Sequence, residues 1–173
     1  RTFDIEGHVI QLNEAILVGA AIKYARAVVH VAKMYRHLVA AAGARLVELE
    51  VSVDETDTPT SPAEHVFVAT ELRKLGVTWT SLAPRLAGGF EKGVDYIGDV
   101  ATFEADWMVH AAIARVLGPY KLSLHSGSDK FSIYAAAAKH AGDLIHVKTG
   151  GKRYLQALRV IAVASRPLEP AEV

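Results

Sequence analysis

The sequence predicts an α/β protein built as a parallel (β/α) barrel, and more narrowly the C-terminal half of a TIM-type barrel. Short apolar strands alternate with helical segments four times along the chain. Polar residues follow the apolar strands, and the carboxyl ends of the strands are where such barrels build their active sites. Each strand has one apolar and one polar face, which fits a barrel interior better than a doubly wound sheet, whose strands are apolar on both faces.

The helices are predicted from apolar spacing and from their end signals. Over 13–42, apolar residues recur at helical intervals, as at Ile16, Ala20, Tyr24 and Val28, and Gly43 ends the pattern. Ser61 and Pro62 form a cap followed by a first helical residue. The predicted helices are 13–42 (one helix or two), 63–75, 102–117, 129–140 and 154–164.

The strands are predicted from two-residue alternation. A short first strand is expected at 2–5, and the four strands of the sheet at 46–53, 77–82, 121–125 and 144–148. The polar faces of these four carry Glu48, Glu50, Ser52 and Asp54, then Thr78 and Thr80, then Lys121, Ser123 and His125, and last His146 and Lys148. The four strands should be neighbours in chain order.

The chain divides into a helical lead-in with a possible first strand (1–43), a (β/α) half-barrel carrying the site (44–165) and a loose tail (166–173). A closed barrel needs eight strands and about 250 residues, whereas this chain has 173 residues. The sequence therefore predicts a piece of a longer protein. Its partner is expected to be the missing half of the barrel or another copy of the chain.

Composition excludes several classes of function. The formal net charge is +0, so nothing favours nucleic acid or a charged membrane surface. There are 0 cysteines, which excludes disulfides and thiolate zinc sites. Charges interrupt the apolar stretches, so no membrane-spanning helix is expected. A cytoplasmic protein acting on a small molecule is the resulting expectation.

Three residues at strand tips predict a site for a divalent metal cation. Asp54 follows the first strand of the sheet, and His125 and His146 lie on the polar faces of two later strands. Carboxylate and imidazole ligands suit Mn, Zn, Fe or Ni. A solvated acidic turn and a pair of hydrogen-bonded structural histidines are the alternatives.

Other tip residues predict contacts with an anionic substrate. Ser126, Asp129 and Lys130 lie in a loop that opens a helix, and helix N-termini bind anions such as carboxylates. Arg85 could hold a carboxylate with two hydrogen bonds. Lys148 could act as an electrophile, a base or a substrate clamp, or form a Schiff base.

Long and chemically unusual runs of this chain resemble the tagaturonate/fructuronate epimerases, a family of hexuronate C4-epimerases. The matching stretches are VELEVSVDETDTPTSP (47–62), GVTWTSLAPR (76–85), FEKGVDYIGD (90–99), GPYKLSLHSGSDKFSIY (118–134) and LIHVKTGGKRYLQALRVIA (144–162). The resemblance implies an isomerase of carbohydrate metabolism with a divalent metal and a keto-hexuronate substrate. In the resulting hypothesis Asp54, His125 and His146 hold the metal, and Glu55 and Lys148 are the acid/base candidates.

The position of the carbon that is inverted limits the reaction mechanisms that are possible. The two ketouronates differ at C4, which is β to the ketone at C2, so simple enolisation cannot invert it. Metal-assisted retro-aldol cleavage can, and the competing transient oxidation would need a nicotinamide, for which no G-x-G-x-x-G run is present. An aldolase or lyase acting on a related sugar acid, and a non-catalytic sugar-acid-binding fragment, are the alternative functions.

Overall fold

A computed structural model describes residues 1–149 and 154–164 of the chain. Two N-terminal strands, β1 (Thr2–Ile5) and β2 (His8–Gln11), precede the long helix α1 (Glu14–Ala42). Strands and helices then alternate through β3 (Glu50–Val53), α2 (Pro62–Lys74), β4 (Ser81–Pro84), α3 (Val100–Leu117), β5 (Lys121–Leu124), α4 (Phe131–Ala141), β6 (Ile145–Val147) and α5 (Tyr154–Ala164). The predicted tail at 166–173 lies outside the described residues.

The main sheet has four parallel strands in the order β3-β4-β5-β6, which confirms the predicted chain-order arrangement. The register pairs Ser52 with Ala83, Leu82 with Leu122, and Ser123 with His146. Across the described residues the sheet is open, with β3 and β6 at its edges, so the α/β class and the parallel sheet are confirmed. Closure into a barrel stays a prediction.

The helix boundaries follow from local capping chemistry. Asn13 accepts a hydrogen bond from the amide of Ile16 at the start of α1, and Asp99 does the same for Thr102 at the start of α3. At α2, Ser61 and Glu64 form a reciprocal capping box with Pro62 in the first turn. These caps satisfy backbone amides that would otherwise lack a partner.

Helices cover the apolar face of the sheet. Val51, Val53 and Leu82 pack against α1 and α2, in a cluster that includes Tyr24 and Leu72. Leu122 and Leu124 pack with α3 and α4 residues, in a second cluster that includes Phe103, Trp107 and Ile133. This packing leaves Glu50, Ser81, Ser123 and His146 on the opposite face of the strands, as the two-residue alternation requires.

The N-terminal strands correct one prediction. A single short strand was expected at 2–5, but β1 and β2 form an antiparallel hairpin whose turn places Glu6 and Gly7 at positive φ. Ile5, Ile10 and Leu12 of the hairpin pack against Val66 of α2 and Ile113 of α3. The hairpin therefore lies against the helix layer and takes no part in the main sheet.

The long helix α1 corrects a second expectation. By length and composition alone it could cross a membrane, although charges were expected to interrupt every such stretch. In the fold, Tyr24 and Val28 of this helix are buried in the core, and Lys23 contacts Glu64 of α2 with its ammonium 3.2 Å from the carboxylate. These contacts make α1 part of the helix layer.

Two histidines and a tyrosine form a buried polar chain between α2 and α3. His65 and His110 are fully buried, and their Nδ1 atoms are 2.8 Å apart. The Tyr120 hydroxyl lies 2.8 Å from His65 Nε2, and His110 Nε2 lies 3.5 Å from the Asp106 carboxylate. One tautomer of each ring satisfies this geometry, with Tyr120 donating to His65 and His65 donating to His110.

We expect the buried network of His65, His110 and Tyr120 to make the stability of the fold sensitive to acid. Burial, and secondarily the neighbouring His110, hold the pKa of His65 well below 6.5, so the folded state keeps the ring neutral. Below about pH 6.5 the unfolded state takes up this proton and the folded state does not, so stability falls as the pH falls. Urea unfolding between pH 7.5 and 5 measures the slope.

The matched variants for this measurement are His65→Gln and His30→Gln. His65→Gln removes the buried titrating group and should give a flatter acid slope than the parent, with lower stability at pH 7.5. His30 is exposed on α1, so its variant should follow the parent. An acid slope in His65→Gln equal to that of the parent would contradict the assignment.

Candidate active site

Glu50 stands at the centre of the polar face of the sheet. Its side chain accepts hydrogen bonds from Ser123 Oγ at 2.8 Å and Ser81 Oγ at 3.1 Å. His125 Nε2 lies 2.8 Å from Oε1, and His146 Nδ1 lies 2.8 Å from Oε2. One carboxylate thus joins side chains from three neighbouring strands and from the residue that follows β5.

His125 is held between two carboxylates. Its Nδ1 lies 2.8 Å from Asp54 Oδ2, on the side opposite its contact with Glu50. Burial lowers the pKa of His125, but the hydrogen bonds to Asp54 and Glu50 outweigh it and raise that pKa above its ordinary value. The geometry therefore favours an imidazolium that donates one hydrogen bond to each carboxylate.

The two carboxylates are correspondingly held in their ionised form. Burial raises the pKa of Glu50, but hydrogen bonds from Ser123, His125 and Ser81 and the charge of His125 lower it to about 2. The pKa of Asp54 is also lowered, because hydrogen bonds from His125 and from Ser52 outweigh the effect of burial. The cluster can hold a proton on His125 and offer negative charge on either side of it.

A cleft of about 250 Å³ opens beside this cluster. Asp54 and His125 form one side, next to Ser126, and Arg85 lies on the same wall directly after β4. The other wall is the cleft loop, residues 88–98, which contributes Gly88, Gly89, Phe90 and Glu91. The Arg85 guanidinium can bind a carboxylate with two hydrogen bonds, beside the lining carboxylates of Asp54 and Glu91.

The cleft loop has a backbone that requires glycine at its first position. Gly88 has a φ of +92°, and a Cβ there would lie 2.3 Å from the Tyr96 hydroxyl. The Tyr96 hydroxyl donates to the Ala87 carbonyl at 3.1 Å, and Gly89 and Ile97 exchange two backbone hydrogen bonds at 2.7 and 3.2 Å. The loop is therefore a closed unit with Tyr96 beneath it.

The structure brings several of the predicted site residues together. Asp54, His125, His146 and Lys148 gather around Glu50, with Lys148 Nζ 3.5 Å from Glu50 Oε1. Arg85 and Ser126 line the cleft, and Ser126 has a φ of +49° at the start of its turn. Glu50 itself was not predicted as a site residue.

The remaining predicted residues lie apart from this cluster. Glu55 is exposed beyond the end of β3, and Asp129 is half-buried in the turn before α4; neither lines the cleft. Lys130 is fully buried, and its ammonium binds backbone carbonyls of the cleft loop. The roles predicted for these three residues in acid/base chemistry and substrate binding stay predictions.

The donor set around Glu50 fits a metal cation in chemistry. Asp54, Glu50, His125 and His146 provide the carboxylates and imidazoles that Mn, Zn, Fe or Ni accept. In the described residues, however, no three such side chains are arranged to hold an ion together, because the imidazoles contact the carboxylates directly. Metal binding here requires these side chains to exchange their mutual contacts for the ion.

The acid and base side chains lie on one face of the parallel sheet, and Asp54, His125 and Lys148 directly follow β3, β5 and β6. Carboxyl ends of parallel strands are where (β/α)-type enzymes build their sites. The family model for tagaturonate epimerase matches residues 1–169. The chain is 48% identical over 168 residues to the tagaturonate/fructuronate epimerase of Thermotoga maritima, covering 97% of this chain and 34% of that protein. The chain belongs to the tagaturonate epimerase family.

Solved structures agree with this assignment. The native crystal structure of fructuronate-tagaturonate epimerase UxaE from Cohnella laeviribosi matches with a TM-score of 0.89 and 44% identity, over 95% of this chain and 33% of that chain. A structure of the same enzyme with one glycerol gives the same values. The chain spans about a third of the length of the relatives it matches.

Proposed function

We propose that this chain carries the acid/base cluster and part of the substrate cleft of an enzyme that interconverts tagaturonate and fructuronate. The observation that carries the proposal is the Asp54–His125–Glu50 cluster beside a cleft containing Arg85. Family membership supports the same substrate class. The rest of the protein supplies the remaining two thirds of the length and, in this proposal, closes the sheet into a barrel.

In the proposed reaction, Arg85 binds the substrate carboxylate and orients C4 toward the cluster. A carboxylate or Lys148 takes the proton from the C4 hydroxyl. The O–H electrons form the C4 carbonyl, the C3–C4 bond breaks, and its electrons form an enediolate at C2–C3. The aldehyde then turns its other face to C3, the bond re-forms, and the proton returns to the C4 oxygen.

A divalent cation is part of this proposal, with Asp54, His125 and His146 as its ligands. When bound, it supplies Lewis-acid polarisation of the C2 ketone. Glu50 contacts both histidines, so in this chain it either joins the ligand set or orients the rings that do. Glu50 is thus assigned to holding His125 and His146 in place, and Glu55 and Lys148 remain the proposed acid/base residues.

The proposed function is tested by measuring turnover of tagaturonate by a protein as long as the relatives. This chain alone serves as the comparison. Running the reaction in D₂O separates mechanisms: bond cleavage leaves the C4 hydrogen on its carbon, whereas deprotonation at C4 exchanges it for deuterium. Substantial deuterium at C4 by NMR would exclude the retro-aldol route and leave the epimerase assignment standing. Absence of turnover in the full-length protein would exclude the assignment itself.

The assignment of Asp54, His125 and His146 as metal ligands predicts how substitutions change the metal content. His125→Ala and His146→Ala should each lower the metal content of the folded protein by about tenfold or more, because each removes one of three ligands. His30→Ala, on the exposed face of α1, is the matched control and should retain the parent's metal. Equal metal content in all four proteins would contradict the ligand set.

Schiff-base chemistry at Lys148, as in an aldolase or lyase, is the second candidate. Lys148 Nζ lies 3.5 Å from Glu50 Oε1 on the face that carries the cluster, so its amine would be available there after losing a proton. Borohydride reduction in the presence of the ketouronate would then attach the substrate to Lys148. An unmodified Lys148 together with turnover would support the epimerase route.

A further inference from the structure

Lys130 is a fully buried lysine that does not line the cleft. Its ammonium donates hydrogen bonds to the carbonyls of Glu91, at 2.7 Å, and of Val94. Burial lowers the pKa of Lys130, and a buried ammonium is costly unless oxygen atoms surround it. The fold thus buries a charged ammonium, which is unfavourable by itself, where backbone oxygens of the cleft loop accept its hydrogen bonds.

A second contact fastens the same part of the loop. The Asp95 carboxylate accepts hydrogen bonds from the Ser132 hydroxyl at 2.9 Å and from the Ser132 amide at 3.3 Å, at the start of α4. Lys130 and Asp95 therefore tie residues 91–95 of the loop to the segment that joins β5 to α4. That segment also contains His125 and Ser126, on the opposite side of the cleft.

The loop is supported from below by aromatic packing. The Tyr96 ring lies 5.4 Å from the Phe90 ring and 5.4 Å from the Phe103 ring of α3, between ring centroids. This packing fixes the two ends of the loop against α3 but leaves the stretch around Glu91 and Val94 to be held by Lys130. The Lys130 ammonium thus holds the middle of the cleft loop, together with the contact between Asp95 and Ser132.

We propose that Lys130 is a positioning residue, which fixes the cleft loop and thereby places Phe90 and Glu91 against the bound substrate. The inference rests on the proposed function in that the cleft is taken to hold the ketouronate. It differs from the expectation that Lys130 binds the substrate itself. Lys130 acts on the loop through the backbone carbonyls of Glu91 and Val94, without contacting the substrate.

Hydrogen exchange on this chain tests the positioning role without any assay of activity. Lys130→Met keeps the apolar stem and removes the ammonium, so amides in 88–98 should exchange about tenfold faster or more, whereas amides of β3 should not change. Lys92→Met, an exposed lysine of the same loop, is the matched control and should leave exchange unchanged. Unchanged loop exchange in a folded Lys130→Met would overturn the proposal.

Two further measurements complete the test. Should Lys130→Met fail to fold, Asp95→Ala removes the second, exposed contact and should accelerate exchange in the same residues. In the full-length enzyme, Lys130→Met should raise KM by about tenfold with kcat within threefold, as for loss of a binding wall. A raised KM with unchanged loop exchange would identify a direct substrate ligand and overturn the positioning role. A parent without turnover would refute the proposed function and leave the exchange result to decide on Lys130.

Discussion

Replacing Glu50 by glutamine is expected to lower kcat/KM of the full-length enzyme by about a thousandfold, the size of effect typical for removing a charged group from a catalytic centre. Glutamine keeps the shape of the side chain but carries no charge. It therefore loses the ion pair with His125 and the charged acceptor that lies 2.8 Å from His146 Nδ1. Steady-state kinetics on tagaturonate measures the loss.

The electrostatic cause of this loss can be measured separately on this chain. The pKa of His125 is raised by Asp54 and Glu50, so Glu50→Gln should lower that pKa, which NMR titration of the ring measures directly. Glu48→Gln is the matched control, since Glu48 precedes β3 and is exposed. Activity of Glu50→Gln within tenfold of the parent, in folded protein, would show that Glu50 is not part of the chemistry.

Trp107→Ala is expected to destabilise the chain by about 3–5 kcal/mol, the range for removing a large buried aromatic side chain. Trp107 is fully buried, its ring stacks with that of Phe103 at 5.7 Å between centroids, and its Nε1 donates to the Ala137 carbonyl at 3.0 Å. The substitution leaves a cavity between α3 and α4 and removes the hydrogen bond to the Ala137 carbonyl. Urea unfolding monitored by circular dichroism gives the change.

Two comparison variants make this result specific. Trp107→Phe keeps most of the ring volume and loses the hydrogen bond, so it should cost less than the alanine variant. Val116→Ala removes apolar atoms from a half-exposed position of the same helix and should change stability by less than about 0.5 kcal/mol. Equal stability of parent and Trp107→Ala would show that this cluster does not support the fold.

Much of the fold could be predicted because local signals and burial agree. Helix α2 begins where Ser61 and Pro62 indicate, and α1 ends at the residue before Gly43. The prediction placed β4 at 77–82, with Thr78 and Thr80 on its polar face, whereas the strand is Ser81–Pro84 and Ser81 faces Glu50. Val77 and Trp79 alternate with polar residues, so this stretch has the sequence pattern of a strand. Pro84 lacks an amide hydrogen and was therefore interpreted as the end of that strand.

The missed hairpin has a similar physical origin. Glu6 and Gly7 both adopt positive φ, but two-residue hairpin turns are recognised in sequences by Asn-Gly or Asp-Gly. Glu6 gives no such signal. With only four residues in β2, alternation alone could not identify the strand.

The sequence selected three of the clustered side chains but not Glu50, the carboxylate that joins them. Asp54, His125 and His146 were selected because polar residues at carboxyl ends stand out against apolar strands. Glu50 shares the face of Asp54, which was the available signal, yet its histidine partner at position 125 is 75 residues away. Only the strand order β3-β4-β5-β6 in three dimensions shows that one carboxylate serves both histidines.

The order of the strands has a consequence for how the chain reaches this structure. Because β3, β4, β5 and β6 are neighbours in the order of synthesis, each βα unit can dock on the one before it with a short loop to close. The N-terminal hairpin is the exception. Its Glu6 carboxylate meets Arg115 across 109 residues, so this contact cannot form until α3 has been made. The hairpin precedes the sheet in the sequence and is nevertheless among the last of the described segments to find its native partner.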